Sequence, residues 1–434
     1  MSALRPRPAP PPDAPRSALL SVAEAQTLVL ARVAPLSAER VPLELAGERV
    51  LAEDVVAGRA LPAHTDSAMD GYAVRAADTP PGGRLPVVGA IAAGDAGEAP
   101  LAPGTATRIF TGAPLPPGAD AVIIQENTVR EGDHIVVQVA VLPGENVRHQ
   151  GSDVALGTPV LAAGRALSPG DLALLGALGR TRVAVVRAPT VAILASGDEL
   201  VEPDGPPPRR GQVVASVGVA LAAAVRALGG VPHILPVVPD QAEATLAALQ
   251  AATRADVVLT IGGMSVGEHD HMAEALTTVC GGTLAVHKVA IKPGKPFAFG
   301  YLEGTHGPTC RLFGLPGNPV SALVTFEIFV RPALLALLGH ARVLRRPVAA
   351  CLAHDLSAGG GREEYRRATI RWVAGVRQVD ARRPTSSGAL ASLAHADALL
   401  RVTPHAPAQP AGAWVDVLLL GPDFAPERLL LSGD

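Results

Sequence analysis

Cysteine, aromatic side chains and net charge are what this chain has least of. Its 434 residues carry three cysteines, Cys280, Cys310 and Cys351, far apart and without a CxxC pair. That excludes a disulfide framework and a zinc knuckle and points to a reducing, cytoplasmic setting. The formal net charge is −3, so there is no bulk electrostatic case for nucleic acid or an anionic membrane as partner. A local basic pocket is still compatible with that balance. Long uninterrupted apolar runs are also missing. The most apolar stretch, residues 320–339, contains Glu327, Arg331 and Pro332, which argues against a membrane span. Residues 1–16 are rich in proline and arginine and lack the apolar core of a secretory signal, so they read as a disordered tail.

Glycine and proline are plentiful instead, alongside Ala, Val and Leu, as expected for a packed α/β protein with many tight turns. The length suits roughly three domains. Residues 17–34 have the pattern of an amphipathic helix, with Ser21 and Glu24 spaced as a capping box. Between residues 82 and 141, short apolar runs alternate with Gly/Pro turns, which predicts a small β-rich domain. Residues 157–187 then hold a short helix and a strand at 183–186.

After Pro189 the period becomes βαβα. Strands are expected at 191–195, 231–238, 256–261, 283–289 and 311–315, and helices at 216–228, 242–253, 269–279 and 319–338. Such alternation implies a parallel or mixed sheet covered on both faces. From about residue 342 the chain returns to short strands and Gly/Pro turns, a second small β domain. The expected organisation is a tail at 1–16, a split N-terminal domain at 17–50 and 148–188, an inserted β-rich domain at 51–147, an α/β domain at 189–339 and a C-terminal β domain at 340–434.

Ligands of open parallel sheets bind at the carboxyl ends of the strands. Three loops leave such ends: Ser196-Gly197-Asp198-Glu199-Leu200, Gly262-Gly263-Met264-Ser265-Val266-Gly267-Glu268-His269-Asp270, and Pro316-Gly317-Asn318-Pro319-Val320-Ser321. Gly262, Gly263 and Gly267 free backbone N–H groups for a phosphate, and Ser265 adds a hydroxyl. Pro319 suits the first position of a helix whose N-terminus offers more N–H groups. A fourth segment, Lys292-Pro293-Gly294-Lys295-Pro296-Phe297, puts two ammonium groups on a stiff loop fit for an oxyanion. Asp198, Glu199, Asp240 and Asp270 lie beside these loops, and carboxylates next to a phosphate site suggest Mg²⁺. Asp270 reads equally as a helix cap. His269 and His271 do not share a helical face and read as solvated histidines in preference to a zinc pair.

Together these segments resemble the MoeA family of molybdopterin molybdenumtransferases, which includes the gephyrin E domain. The resemblance rests on Ser67-Ala68-Met69-Asp70-Gly71-Tyr72-Ala73-Val74, Thr111-Gly112-Ala113-Pro114, Gly144-Glu145-Asn146-Val147-Arg148 and the four loops above, in family order along nearly the whole chain. It implies an elongated homodimer of four-domain subunits. The α/β domain would resemble the molybdopterin adenylyltransferase fold, and its site would face the inserted domain of the partner subunit. The implied reaction inserts molybdate into the dithiolene of adenylylated molybdopterin, with Mg²⁺-dependent release of AMP. Molybdopterin adenylyltransferase and apo-molybdoenzymes are the implied protein partners.

Carried onto this chain, the resemblance gives catalytic roles to Asp70, Thr111, Asp153, Glu199, Ser265, Lys292 and Lys295. It gives substrate-binding roles to Ser196, Gly197, Asp198, Gly262, Gly263, Gly267, Pro316, Gly317, Asn318, Pro319 and Ser321, and more loosely to Arg362, Arg366, Ser387 and Gly388. Glu199, Asp240 and Asp270 take the magnesium role. Two departures stand out. Ala215-Ser216-Val217 replaces a family Asp-Ser-Asn, and His64-Thr65-Asp66 replaces Phe-Asp-Asn. They motivate a second reading, a degenerate relative that binds the precursor or serves as a scaffold without inserting metal.

Overall fold

The computed structural model describes residues 19–263, 271–304, 307–382, 386 and 388–421. The chain divides into two compact units, one of residues 38–185 and the other of residues up to 37 with those from 186 onward.

The 38–185 unit has three buried clusters, and the two larger ones mark its parts. One belongs to a six-stranded sheet ordered Ala121–Ile124, Gly71–Val74, Ala106–Ile109, Arg84–Ile91, His134–Val137, Thr128–Glu131. Tyr72, Val74, Leu85, Ile123 and Ile135 fill it. Gly71 is required there because a Cβ would lie 1.9 Å from the Ile123 carbonyl oxygen. The other core gathers Leu51, Val55, Leu167, Leu175, Val183 and Val185 around the helix Pro169–Ala177. Ser168 and Asp171 cap that helix reciprocally. Residues 51–56, expected in the insert, pack here instead. Val55–Val56 pairs with Pro159–Leu161, and the chain crosses to the larger sheet where Asp66–Ser67 pairs with Val147–Arg148.

The other unit is built on a mixed sheet ordered Val231–Ile234, Thr190–Ala195, Val257–Ile261, Gly307–Leu315, Ala298–Gly304, Val286–His287. The first four strands are parallel, and Ala298–Gly304 runs antiparallel to both of its neighbours. Side chains alternate between two buried faces, as a sheet covered on both sides requires. Val191, Ile193, Leu259 and Phe313 meet Leu221, Val225 and Phe329 on one face. Leu194, Val258 and Leu312 meet Leu249, Met272 and Leu276 on the other.

Several expectations are corrected here. The strand expected at 231–238 ends at Ile234, and that expected at 283–289 is only Val286–His287. The strand Ala298–Gly304 was not expected, and it makes the sheet mixed by forming a hairpin with Gly307–Leu315. The first helix is Val22–Leu30, with the Ser21–Glu24 box in place. It belongs to this unit and not to the split domain, because Val22, Ala25 and Val29 are buried in the same core as Phe297 and Phe329. The helix over 319–337 is long and apolar enough to cross a membrane, but it is largely buried in this core. A π-helical turn, Phe326–Val330, interrupts it.

The C-terminal strands close on themselves. Glu363–Val373, Val376–Asp380, Val348–Leu352, Trp414–Leu419 and Ala398–Val402 follow in order, and the last pairs back to the first. Closure leaves no free edge in this small barrel. A sixth strand, Ile291–Lys292, adds in parallel to the start of Glu363–Val373. The division expected at 339/340 is therefore crossed: the first lysine of the two-lysine loop sits on the barrel's sheet.

Candidate functional site

The carboxyl edge of the parallel strands opens into a cleft of about 490 Å³. Ser196, Gly197, Glu199, Asp240, Gly262, Gly263, Pro316, Gly317, Asn318, Pro319 and Pro296 all line it. Close backbone approach is what brings its loops together, and glycine permits it. A Cβ on Gly262 would sit 3.0 Å from the Ser196 carbonyl oxygen, and one on Gly317 would sit 3.4 Å from the Gly262 Cα. Gly197 has φ +149°, and a Cβ there would fall 2.5 Å from a Glu199 carboxylate oxygen. Glycine at 197 thus leaves room for that carboxylate beside the backbone turn.

Asn318 occupies the N-cap of the helix that follows, yet its side chain makes no capping bond. Its amide and the first N–H groups of the helix are left for a ligand. Ser321 is buried below this mouth. Asp198 does not line the cleft. Its Oδ1 accepts from the Asp240 N–H at 3.0 Å and ties the two loops together. Among the described residues no three acidic, histidine or cysteine side chains converge as a preformed metal cage. Glu199 and Asp240 do share one cleft, and a Mg²⁺ ion uses only one or two protein carboxylates beside substrate phosphate and water. The donor set fits that ion.

The altered segment lies at the same mouth. Ala215 is the N-cap of the helix Ser216–Ala227 and offers no side-chain acceptor. Ala215, Ser216 and Val217 line the cleft with Val213, Ile234 and Leu235, so this end is apolar. Glu202, which the sequence reading passed over, also lines it, and its Oε1 accepts from the Val237 N–H at 3.2 Å.

Neither lysine lines the cleft, although Pro296 does. The Lys292–Pro293 bond is cis. The Lys292 Nζ donates to Glu364 Oε1 at 3.2 Å, and Arg366 Nε donates to Glu364 Oε2 at 3.1 Å. Burial pushes the Glu364 carboxyl up, but the hydrogen bonds from Lys292 and Arg366 outweigh it and hold the group below the usual carboxylate range. Arg362 Nη1 donates to the Ile291 carbonyl at 3.3 Å. Glu364 was also missed. The readable signal was strand alternation, which puts 362, 364 and 366 on one face.

Asp70, Thr111 and Asp153 belong to the 38–185 unit. Asp70 Oδ1 accepts from both the N–H and the Oγ1 of Thr111 at 2.8 Å. The backbone bond from Thr111, then its hydroxyl, hold the Asp70 carboxyl below its ordinary value. Arg108 packs over the rings of Tyr72 and Phe110 beside this pair. Asp153 is exposed and meets Leu61 through its backbone N–H. Asp66, in the altered segment His64-Thr65-Asp66, is engaged by Arg148 at 2.7 Å. Ser265, Gly267, Asp270, His269 and Ser387 lie outside the described residues.

Family models match in the same order as these parts. The MoeA N-terminal region (domain I and II) matches residues 20–179, the probable molybdopterin binding domain residues 192–336, and the MoeA C-terminal region (domain IV) residues 349–420. The molybdopterin molybdenumtransferase 2 of Mycobacterium tuberculosis (strain ATCC 25618 / H37Rv) is 38% identical over 88% of this chain and 95% of its own length.

The chain belongs to the MoeA family.

The molybdopterin molybdenumtransferase of Haemophilus influenzae (strain ATCC 51907 / DSM 11121 / KW20 / Rd) is likewise 38% identical, over 80% of this chain and 85% of its own length. The crystal structure of the molybdopterin biosynthesis MoeA protein from Pyrococcus horikoshii OT3 superposes with a TM-score of 0.79 at 32% identity, covering 93% of this chain and all of that one. The MoeA assignment thus covers both units, the barrel included.

Proposed function

We propose that this protein is a molybdopterin molybdenumtransferase of molybdenum cofactor biosynthesis. In this reading it inserts molybdate into adenylylated molybdopterin and releases AMP. The observation that carries the reading is the meeting of three glycine-bearing loops at one cleft, with the two-lysine loop entering through Pro296. The pyrophosphate of one substrate and the molybdate that is the other are both anionic, and the chain provides distinct devices for each. The Gly262 N–H expected to meet a phosphate is taken by the Leu315 carbonyl at 3.2 Å, so the Gly263 N–H and those of the helix start after Pro319 are the ones that suit the pyrophosphate. Lys292 and Lys295 suit the oxyanion.

Glu199 and Asp240 would hold Mg²⁺, which when bound neutralises charge on the phosphoanhydride. Gly197 leaves the Glu199 carboxylate close to the turn, and Asp198 holds the Asp240 backbone. In the overall change the two dithiol S–H groups give two Mo–S bonds as one molybdate oxygen leaves as water with both protons, and one water hydrolyses the phosphoanhydride, so that AMP leaves and molybdopterin keeps its phosphate. Asp70 is kept ionised by Thr111 and is assigned an orienting role. Ser265, Asp270 and Ser387 keep the roles that the family resemblance implies. A homodimer, a cytoplasmic setting and exchange with molybdopterin adenylyltransferase and apo-molybdoenzymes complete the proposal.

The test supplies adenylylated molybdopterin, molybdate and Mg²⁺ to the purified protein and follows AMP together with reconstitution of an apo-molybdoenzyme. Glu199→Ala should cut turnover by about 100-fold or more, the scale of removing a charged group that meets a transition state, and Lys292→Ala should lower kcat/KM for molybdate by a similar factor, mostly through KM. Precursor binding without AMP release would favour the binding-only reading that Ala215 and Val217 suggest. Light scattering should return twice the chain mass.

A further inference from the structure

We propose that Glu364 is a positioning residue that aims the Lys292 ammonium at the oxyanion. The inference rests on the reading of the two-lysine loop as an oxyanion site and assigns the residue that makes that site directional.

Lys292 and Glu364 are register partners on adjacent parallel strands. The backbone on both sides of that contact is pinned. Glu363 N–H donates to the Ala290 carbonyl at 2.9 Å, and Arg362 donates to the Ile291 carbonyl at 3.3 Å. The Glu364 side chain is 9% exposed, and its two oxygens go to different cations, Oε1 to Lys292 and Oε2 to Arg366. Arg366 is held in turn, donating to Ser357 Oγ at 2.9 Å. Glu364 is therefore a fixed acceptor and not a swinging surface carboxylate.

A lysine side chain has large rotamer freedom, which a bound oxyanion would otherwise have to remove. An ammonium has three donors. The bond to Glu364 uses one and fixes the direction of the rest. The Lys292 side chain remains 49% exposed, so those donors stay reachable by a ligand. Lys295 is different: it is exposed and makes no ion pair among the described residues. One lysine is preset, and the other is left to close on the ligand.

Position and charge can be separated at this residue. Glu364→Gln keeps an acceptor at the same reach and removes the charge. Glu364→Asp keeps the charge and withdraws the acceptor by one methylene. Both are close enough in size to fold, which circular dichroism would verify. Molybdate alone is titrated calorimetrically into the full-length protein, and the molybdate KM and the kcat are read from AMP release. We expect E364D to weaken molybdate binding and raise its KM by about 5- to 10-fold with kcat changed less than about threefold, and E364Q to bind within about threefold of wild type. In a Lys292→Ala background, E364D should add little further loss, since Glu364 acts through Lys292.

Wild-type affinity in E364D would overturn the proposal. So would a loss confined to E364Q, or a loss that adds in full to that of K292A. If wild type does not bind molybdate, or K292A binds it as wild type does, the reading of the loop itself fails and this inference falls with it.

Discussion

Cys310 is fully buried beside Leu194 and Leu312, and Cys280 is half-buried against the same cluster. Burial pushes the Cys280 thiol up to about 11 and the Cys310 thiol up to about 12. At pH 8 a thiol with a pKa near 12 is ionised at roughly one part in 10⁴, and the thiolate is the reactive form. Cys351 lies apart on the barrel, half-buried, with its Sγ 3.3 Å from the Gly412 carbonyl. A thiol reagent at pH 8 should therefore modify one cysteine quickly in the native protein, and all three only in denaturant. Cys351→Ser should abolish the fast phase. A fast phase of two thiols would mean that the sheet edge around Cys280 opens readily. Sequence already separated these cysteines from any disulfide or zinc role, but their chemistry depends on burial that no spacing reveals. Glu364 is a similar case. Its residue type and strand position were readable, whereas its pairing with Lys292 arises from strands some seventy residues apart in the chain.

At the scale of the element, the two ends of the parallel strands do different work. The carboxyl ends carry the glycine loops. Near the amino ends, Arg187 grips Asp256 through Nη1 at 2.8 Å and Nη2 at 2.5 Å, while the Thr190 N–H and hydroxyl donate to the same carboxylate at 2.9 Å. Burial pushes the Asp256 carboxyl up, but the bonds from Arg187 and Thr190 prevail and leave it below its ordinary value. A carboxyl depressed in the folded state stabilises the fold above its unfolded pKa, near pH 4, and that contribution fades as the pH falls through the folded value. Asp256→Asn should cost about 2 kcal/mol of stability at pH 7, measured by urea unfolding. It should also flatten the decline of stability between neutral pH and pH 3. An unchanged acid limb would show that other carboxylates govern it.

The parallel strands themselves were legible because runs such as Val191–Leu194 and Val257–Ile261 are apolar on both faces. The strand Ala298–Gly304 was not legible, since Gly300 interrupts it where a Cβ would lie 2.4 Å from the Cys280 Sγ. The two-residue strand Ile291–Lys292 is too short to carry any period.

For the whole molecule, the order of motifs made the architecture readable, and the rule that ligands gather at carboxyl strand ends brought three distant loops together. What stayed hidden was where one compact part hands over to the next. The first helix and the Lys292 strand both join bodies other than those expected, because their partners lie hundreds or tens of residues away. The hand-over at residues 37 and 186 has a clear physical form. The strands Ala38–Pro42 and Arg182–Val186 pair with each other, and the Arg187 N–H donates to the Ser37 carbonyl at 3.0 Å. The 38–185 unit thus leaves and re-enters at one place, and each unit has its own buried core. Inserted domains with adjacent ends are the ones that can be removed without unfolding their host. Replacing residues 38–185 by a short Gly/Ser linker should give a protein that unfolds cooperatively in urea and still binds molybdate. It should release no AMP from adenylylated molybdopterin, because Asp70, Thr111 and Asp153 leave with the excised unit. Retained AMP release would remove those three residues from the reaction, and loss of cooperative unfolding would show that the remaining unit depends on the excised one for its stability.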